Sequence, residues 1–158
     1  MSEYYARSDL MAFVKTKIEA RPDSPAAVIG RVTEIPDDQE KAVSIYAPAD
    51  GMSPIGSAWQ FMPSVSLSIE VHVRDLNNWC AVAEAETTSI IQALFADGDF
   101  RKLWKRPPEV EIKQFVHRDG GPLVGEIISM SGELTRPRVV SISAGELQGV
   151  DIQQGASE

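Results

Sequence analysis

The chain has 158 residues, 43% of them hydrophobic, which suits one soluble globular domain with its own core. Fifteen basic residues against 23 acidic ones leave a net charge of −8, which opposes nonspecific binding to nucleic acid or an anionic membrane. One cysteine excludes an internal disulfide framework and a cysteine-based zinc site and points to a reducing compartment. No apolar run reaches the ~20 residues of a membrane span, and Met1 to Tyr5 lacks the basic and apolar regions of a signal peptide.

The first predicted element is a helix over residues 8–20, where Leu10, Met11, Val14 and Ile18 recur at helical spacing. Ser8 can cap it, Asp9 suits its first turn, and Pro22 and Pro25 stop it. Residues 26–32 read as a short strand and 34–40 as a polar turn. Residues 42–47 are a second strand with Val43 and Ile45 on one face. Residues 48–63 contain three prolines and two glycines and read as one long irregular loop. Its Met52, Ile55, Trp59, Phe61 and Met62 either tuck into the core or mark a partner surface.

From Val65 to Arg74 the alternation is strict. Val65, Leu67, Ile69, Val71 and Val73 are expected in the core, with Ser66, Ser68, Glu70, His72 and Arg74 facing water or a partner. A long helix over 78–96 follows, carrying Trp79, Val82, Ala83, Ile90, Ile91, Leu94 and Phe95 at helical spacing, with Glu86 as a polar exception. Asp97-Gly98-Asp99 ends it, and residues 100–105 add a further turn. After Pro107-Pro108, Val110, Ile112, Gln114 and Val116 share one face of a strand. Asp119-Gly120-Gly121 suits a hairpin turn, and residues 123–134 return, with Gly125 marking a bulge or a close approach. Residues 139–142 suit a short strand, and 143–158 form a polar extension to a single domain over 1–142. Clustered strands and few helices make the class α+β: an antiparallel or mixed sheet of four to six strands covered on one face by helices.

Chemistry-bearing motifs are sparse. Glu70, His72 and Arg74 share a strand face, the best available acid–base or metal group, and a small α+β enzyme built on them is an alternative from another functional class. His117 lies in a turn. Cys80 falls in the first turn of the long helix, in a phase that predicts burial. There is no phosphate-binding glycine loop, HExxH, GxSxG or EF-hand pattern, so no catalytic residue, cofactor or metal is assigned. The dense basic segment Phe100-Arg101-Lys102-Leu103-Trp104-Lys105-Arg106 is either a patch for an acidic partner or a helix end complementing the dipole.

An ordered set of segments carries a resemblance: Ala42-Val43-Ser44-Ile45-Tyr46, then Val65-Ser66-Leu67-Ser68-Ile69-Glu70-Val71-His72-Val73, then Leu76-Asn77-Asn78-Trp79 opening the long helix. Phe100-Arg101-Lys102-Leu103 and the hairpin Phe115-Val116-His117-Arg118-Asp119-Gly120-Gly121 complete it. Over about residues 6–136 this order resembles the tail terminator family of long, non-contractile-tailed bacteriophages, the lambda minor tail protein U group. The chain adds the strand near 27–32 and the extension 143–158. The resemblance implies a structural, non-enzymatic protein of the virion tail, assembled in the bacterial cytoplasm. Its partners would be its own copies in a ring, typically six, the tail tube protein, and the head–tail connector or neck protein, with DNA passing the channel unbound and no membrane. The tube-facing candidates are Met52, Ile55, Trp59 and Phe61. Inter-subunit charge pairs would draw on Arg101, Lys102, Lys105 and Arg106 against Glu109, Glu111 and Glu126. A head–tail connector or tail-completion protein of similar fold is the second structural reading.

Overall fold

A computed structural model describes residues 7–30, 35, 38–56, 60–74, 77–116, 124–135 and 138–139. The elements are α1 (Arg7–Glu19), β1 (Ala27–Ile29), β2 (Lys41–Pro54), β3 (Gln60–Val73), α2 (Trp79–Ala96), α3 (Gly98–Leu103), β4 (Glu109–Val116), β5 (Val124–Glu133) and β6 (Arg138–Val139). The strands form one mixed sheet in the order β1-β2-β3-β5-β4, with β6 pairing β3 off that path. Among the described residues only β1 with β2 is parallel; the other pairs are antiparallel. The fold is α+β, as the clustering of strands predicts. The turn at 117–122 and the extension 143–158 lie outside the described residues.

Alternation in β3 sets the core. Val65, Leu67, Ile69, Val71 and Val73 are buried with Val43, Ile45, Ile128 and Met130 of the adjoining strands. The helices supply Leu10, Val14 and Ile18 from α1, Ala83, Ile90 and Leu94 from α2, and Phe100 from α3. Asp97 divides α2 from α3: it ends the first in extended geometry, and its side chain accepts from the Phe100 amide at 2.9 Å to cap the second.

The polar exception in α2 is also resolved. Glu86 is buried, and its carboxylate accepts from Arg21 Nη2 at 2.5 Å and from Lys41 Nζ at 2.9 Å. Arg21 also donates to the Ile18 carbonyl, Ser24 Oγ and Ser89 Oγ. The turn after α1 is thereby tied to α2 by a satisfied ion group rather than by apolar packing. Burial acts to raise the Glu86 pKa, but the Lys41 and Arg21 hydrogen bonds and charges outweigh it and the net direction is down.

Two expectations change. The stretch 48–63 is not a loop: its described residues extend β2 and β3 into a hairpin arm, paired from Ala49↔Ser66 out to Pro54↔Phe61. Pro48 falls at the register irregularity between Tyr46 and Ala49 and Pro54 ends its strand, where no inner ladder bond is lost, while Pro63 lies within β3 opposite Met52, its carbonyl accepting from the Leu134 amide. Cys80 is exposed, not buried; Trp79 and Val82 are the first-turn residues of α2 that pack on the core.

Candidate functional site

The registers place five isoleucines in one row across the sheet. Ile29 of β1 is opposite Ile45 of β2, Ile45 opposite Ile69 of β3, Ile69 opposite Ile128 of β5, and Ile128 opposite Ile112 of β4. Directly opposed residues point to the same face of a sheet, so the row lies on the helix-covered side. The central three are fully buried, whereas Ile29 is 44% exposed and Ile112 48%. Among the described residues no helix packs closely on β4, and at the other edge α1 buries Ala27 of β1 but leaves Ile29 uncovered.

Each edge has its own apolar group. On β4, Val110, Ile112 and Val116 are all exposed, although they occupy the face that is core on β5. On β1, Val28 and Ile29 are exposed. Ile29 and Gly30 border an open cleft of about 620 Å³, with Arg7 and Met11 from α1 and Ala47 and Asp50 from β2 on its other sides. There Arg7 Nε meets Asp50 at 3.3 Å and roots the arm against the start of α1. These edge residues were not singled out from the sequence. The shared face of Val110, Ile112 and Val116 was legible there; that no helix covers it was not.

The arm carries the predicted tube-facing residues. Met52 and Ile55 are exposed near its end, the Ile55 amide donating to the Gln60 carbonyl at 2.9 Å. Phe61 is half-buried in β3 opposite Pro54 and Arg138. Trp59 lies outside the described residues. Strand β2 is exposed from Pro48 to its end, and at ~3.3 Å per residue its full length is roughly 46 Å.

Of the predicted charged residues, Arg101 and Lys102 are exposed in the last turn of α3, where they complement its dipole. Lys105 and Arg106 follow and are exposed, and Lys105 Nζ meets Glu133 of its own chain at 3.2 Å. Glu109 and Glu111 are exposed on β4, with Glu111 3.1 Å from Lys113. Glu126 is a correction. It pairs with Val71 and Gln114 on the helix-covered face and is buried, so it presents no carboxylate to a neighbour's basic segment.

The second face of β3 departs from expectation as well. Ser68, Glu70 and His72 are buried rather than open to water or a partner. Tyr46 Oη donates to Glu70 Oε1 at 2.5 Å, Ser44 Oγ to Oε2 at 3.3 Å, and His72 Nε2 lies 3.1 Å from Oε2. The His72 hydrogen bond, helped by Tyr46 and Ser44 and opposed by burial, lowers the Glu70 pKa to about 2. Arg74, the third member of the predicted acid–base group, donates to the Ile35 carbonyl. Ser44 and Glu70 both approach the same imidazole nitrogen (Ser44 Oγ at 3.4 Å), whereas a proton relay needs them on opposite nitrogens. Ser44 is also fully buried. The group forms a hydrogen-bonded polar layer on the buried second face of the sheet, with His72 Nδ1 left without a partner among the described residues.

Among the described residues no three His, Cys, Asp or Glu side chains converge in a way that could hold a metal ion, and no helix is long and apolar enough to cross a membrane. A scan against protein-family models and a search of curated proteins gave no match to this chain.

Proposed function

We propose that the chain is a phage tail terminator that works by docking: copies form a ring on the end of the tail tube, stop its growth and offer a surface to the neck. The observation that carries this reading is the pair of unlike apolar edges at opposite ends of one sheet. Two different patches on one subunit suit a heterologous, head-to-tail contact, and such contacts close into rings when the rotation per subunit allows. The resemblance of the segment order to the tail terminator family supports the same reading. The arm adds a projection whose exposed Met52 and Ile55 suit an apolar anchor on a tube. A net charge of −8 suits a channel through which DNA slides without sticking.

The test combines the full chain with purified tail tube protein. Sedimentation is expected to show a closed multi-subunit species, and electron micrographs to show capped tubes of arrested length. A chain that stays monomeric in the presence of tubes and leaves their growth unchanged overturns the proposal.

A further inference from the structure

We infer that neighbouring copies join by sheet continuation: β4 of one copy anneals antiparallel on β1 of the next, with Ile112 opposite Ile29. This interface rests on the ring reading proposed above and specifies the contact within it.

Strand direction supplies the first support. Strand β1 runs parallel to β2, β2 antiparallel to β3, β3 antiparallel to β5, and β5 antiparallel to β4. The two edge strands therefore run in opposite directions. A second copy brought alongside by rotation about a ring axis, its sheet continuing the first, presents β4 antiparallel to β1. That is the more stable way to add a strand, and main-chain pairing at an open edge supplies affinity without a preformed pocket.

The second support is the isoleucine row. Its interior members are buried by neighbours on both sides and its two ends are not. Setting Ile112 beside Ile29 makes the row continuous across subunits and removes both exposed ends at once. It also turns the apolar face of β4 toward the cleft beside Met11 and Ile29. In this register Val28 falls opposite Lys113, and Gly30 opposite Glu111. A slip of one residue places Glu111 or Lys113 beside Ile29 on the buried side, which costs a desolvated charge. The alternation Glu109, Glu111, Lys113 against Val110, Ile112 on β4 thus specifies one register. A second copy carries the matching row, because its own Ile29 and Ile112 are the exposed ends.

The test is disulfide trapping in the full chain with Cys80→Ser. Ile29 and Ile112 of one chain are four strand spacings apart, roughly 19 Å, too far for a bond within a chain. Directly opposed residues across an antiparallel pair lie about 4.5–5.5 Å apart at Cα, within disulfide range. The double variant Ile29→Cys with Ile112→Cys is expected to oxidise into a ladder of covalent oligomers, and Val28→Cys with Ile112→Cys, on opposite faces, to give none. Multi-subunit particles with no Ile29–Ile112 ladder overturn the interface and leave the ring reading standing. A ladder from particles that do not cap tubes upholds the interface and overturns the tail terminator reading. The single variant Ile112→Lys guards against misfolding: its thermal transition is expected to match the parent, while half-assembly needs about tenfold more protein or beyond. Unchanged assembly of Ile112→Lys also overturns the interface.

Discussion

Phe115 of β4 meets His72 of β3 across an intervening strand, edge to face with ring centroids 5.2 Å apart. The residue between them is Gly125 of β5, paired with both. A Cβ there would fall 3.1 Å from Phe115 Cζ and 1.7 Å from the Val71 carbonyl oxygen. The glycine leaves room for the aromatic ring to reach the imidazole and for the β3 backbone to approach closely.

Gly125→Ala is therefore expected to destabilise the fold by about 3 kcal/mol or more, above the usual cost of overpacking because the clash is with backbone. Chemical denaturation checks this. A loss below about 1 kcal/mol contradicts the close approach.

Glu86 and Arg21 make a second separable prediction. Both side chains are almost fully buried, whereas Lys41 is more exposed. Glu86→Gln leaves the Arg21 guanidinium buried without its counter-charge, at an expected cost of about 3–5 kcal/mol. Lys41→Ala is expected to cost about 1 kcal/mol or less. Equal losses in urea unfolding contradict the assignment of Arg21 as the essential partner.

Acid stability should report on Glu70. Its folded pKa is about 2, below the ordinary carboxylate value, so between the two pKa values the unfolded chain binds more protons. Stability from this group is full above about pH 4.5 and is lost as pH falls toward 2, a total of about 3 kcal/mol. Glu70→Gln is expected to flatten the stability curve across that window relative to the parent chain. Parallel curves for the two proteins exclude the His72 and Tyr46 contacts as the source.

The arm gives the functional counterpart. Met52→Lys with Ile55→Lys changes exposed positions and is expected to shift unfolding by about 1 kcal/mol at most. Tube-length control should be lost while ring assembly persists, as judged by micrographs and sedimentation. Capping at parental efficiency contradicts a tube-facing role for the arm.

The lone strand glycine at 125 left a bulge and a close approach open until the unbroken register showed the latter, whereas local periodicity was sufficient for the helices α1 and α2 and for β3. In each, the spacing of side chains along a few turns or pleats matches the geometry that buries them. It misread residues 48–63, where proline and glycine signal a break by their own conformational limits. The antiparallel partner absorbs the limits of Pro48 at a register irregularity and of Pro54 at a strand end, and Pro63 stays paired within β3. It also left Glu70 and His72 facing outward, because alternation assigns residues to two faces and is silent on whether the second is covered.

The open ends of the isoleucine row belong to that second kind of information. Hydrophobic alternation determines that Ile29, Ile45, Ile69, Ile112 and Ile128 each lie on a strand and which neighbours in the chain share their face. Strand order and register decide that they form one line, and the reach of three helices decides that only the middle of it is buried. Side-chain patterning acts over a few residues, whereas pairing between strands joins segments as far apart as Gln60 and Val139.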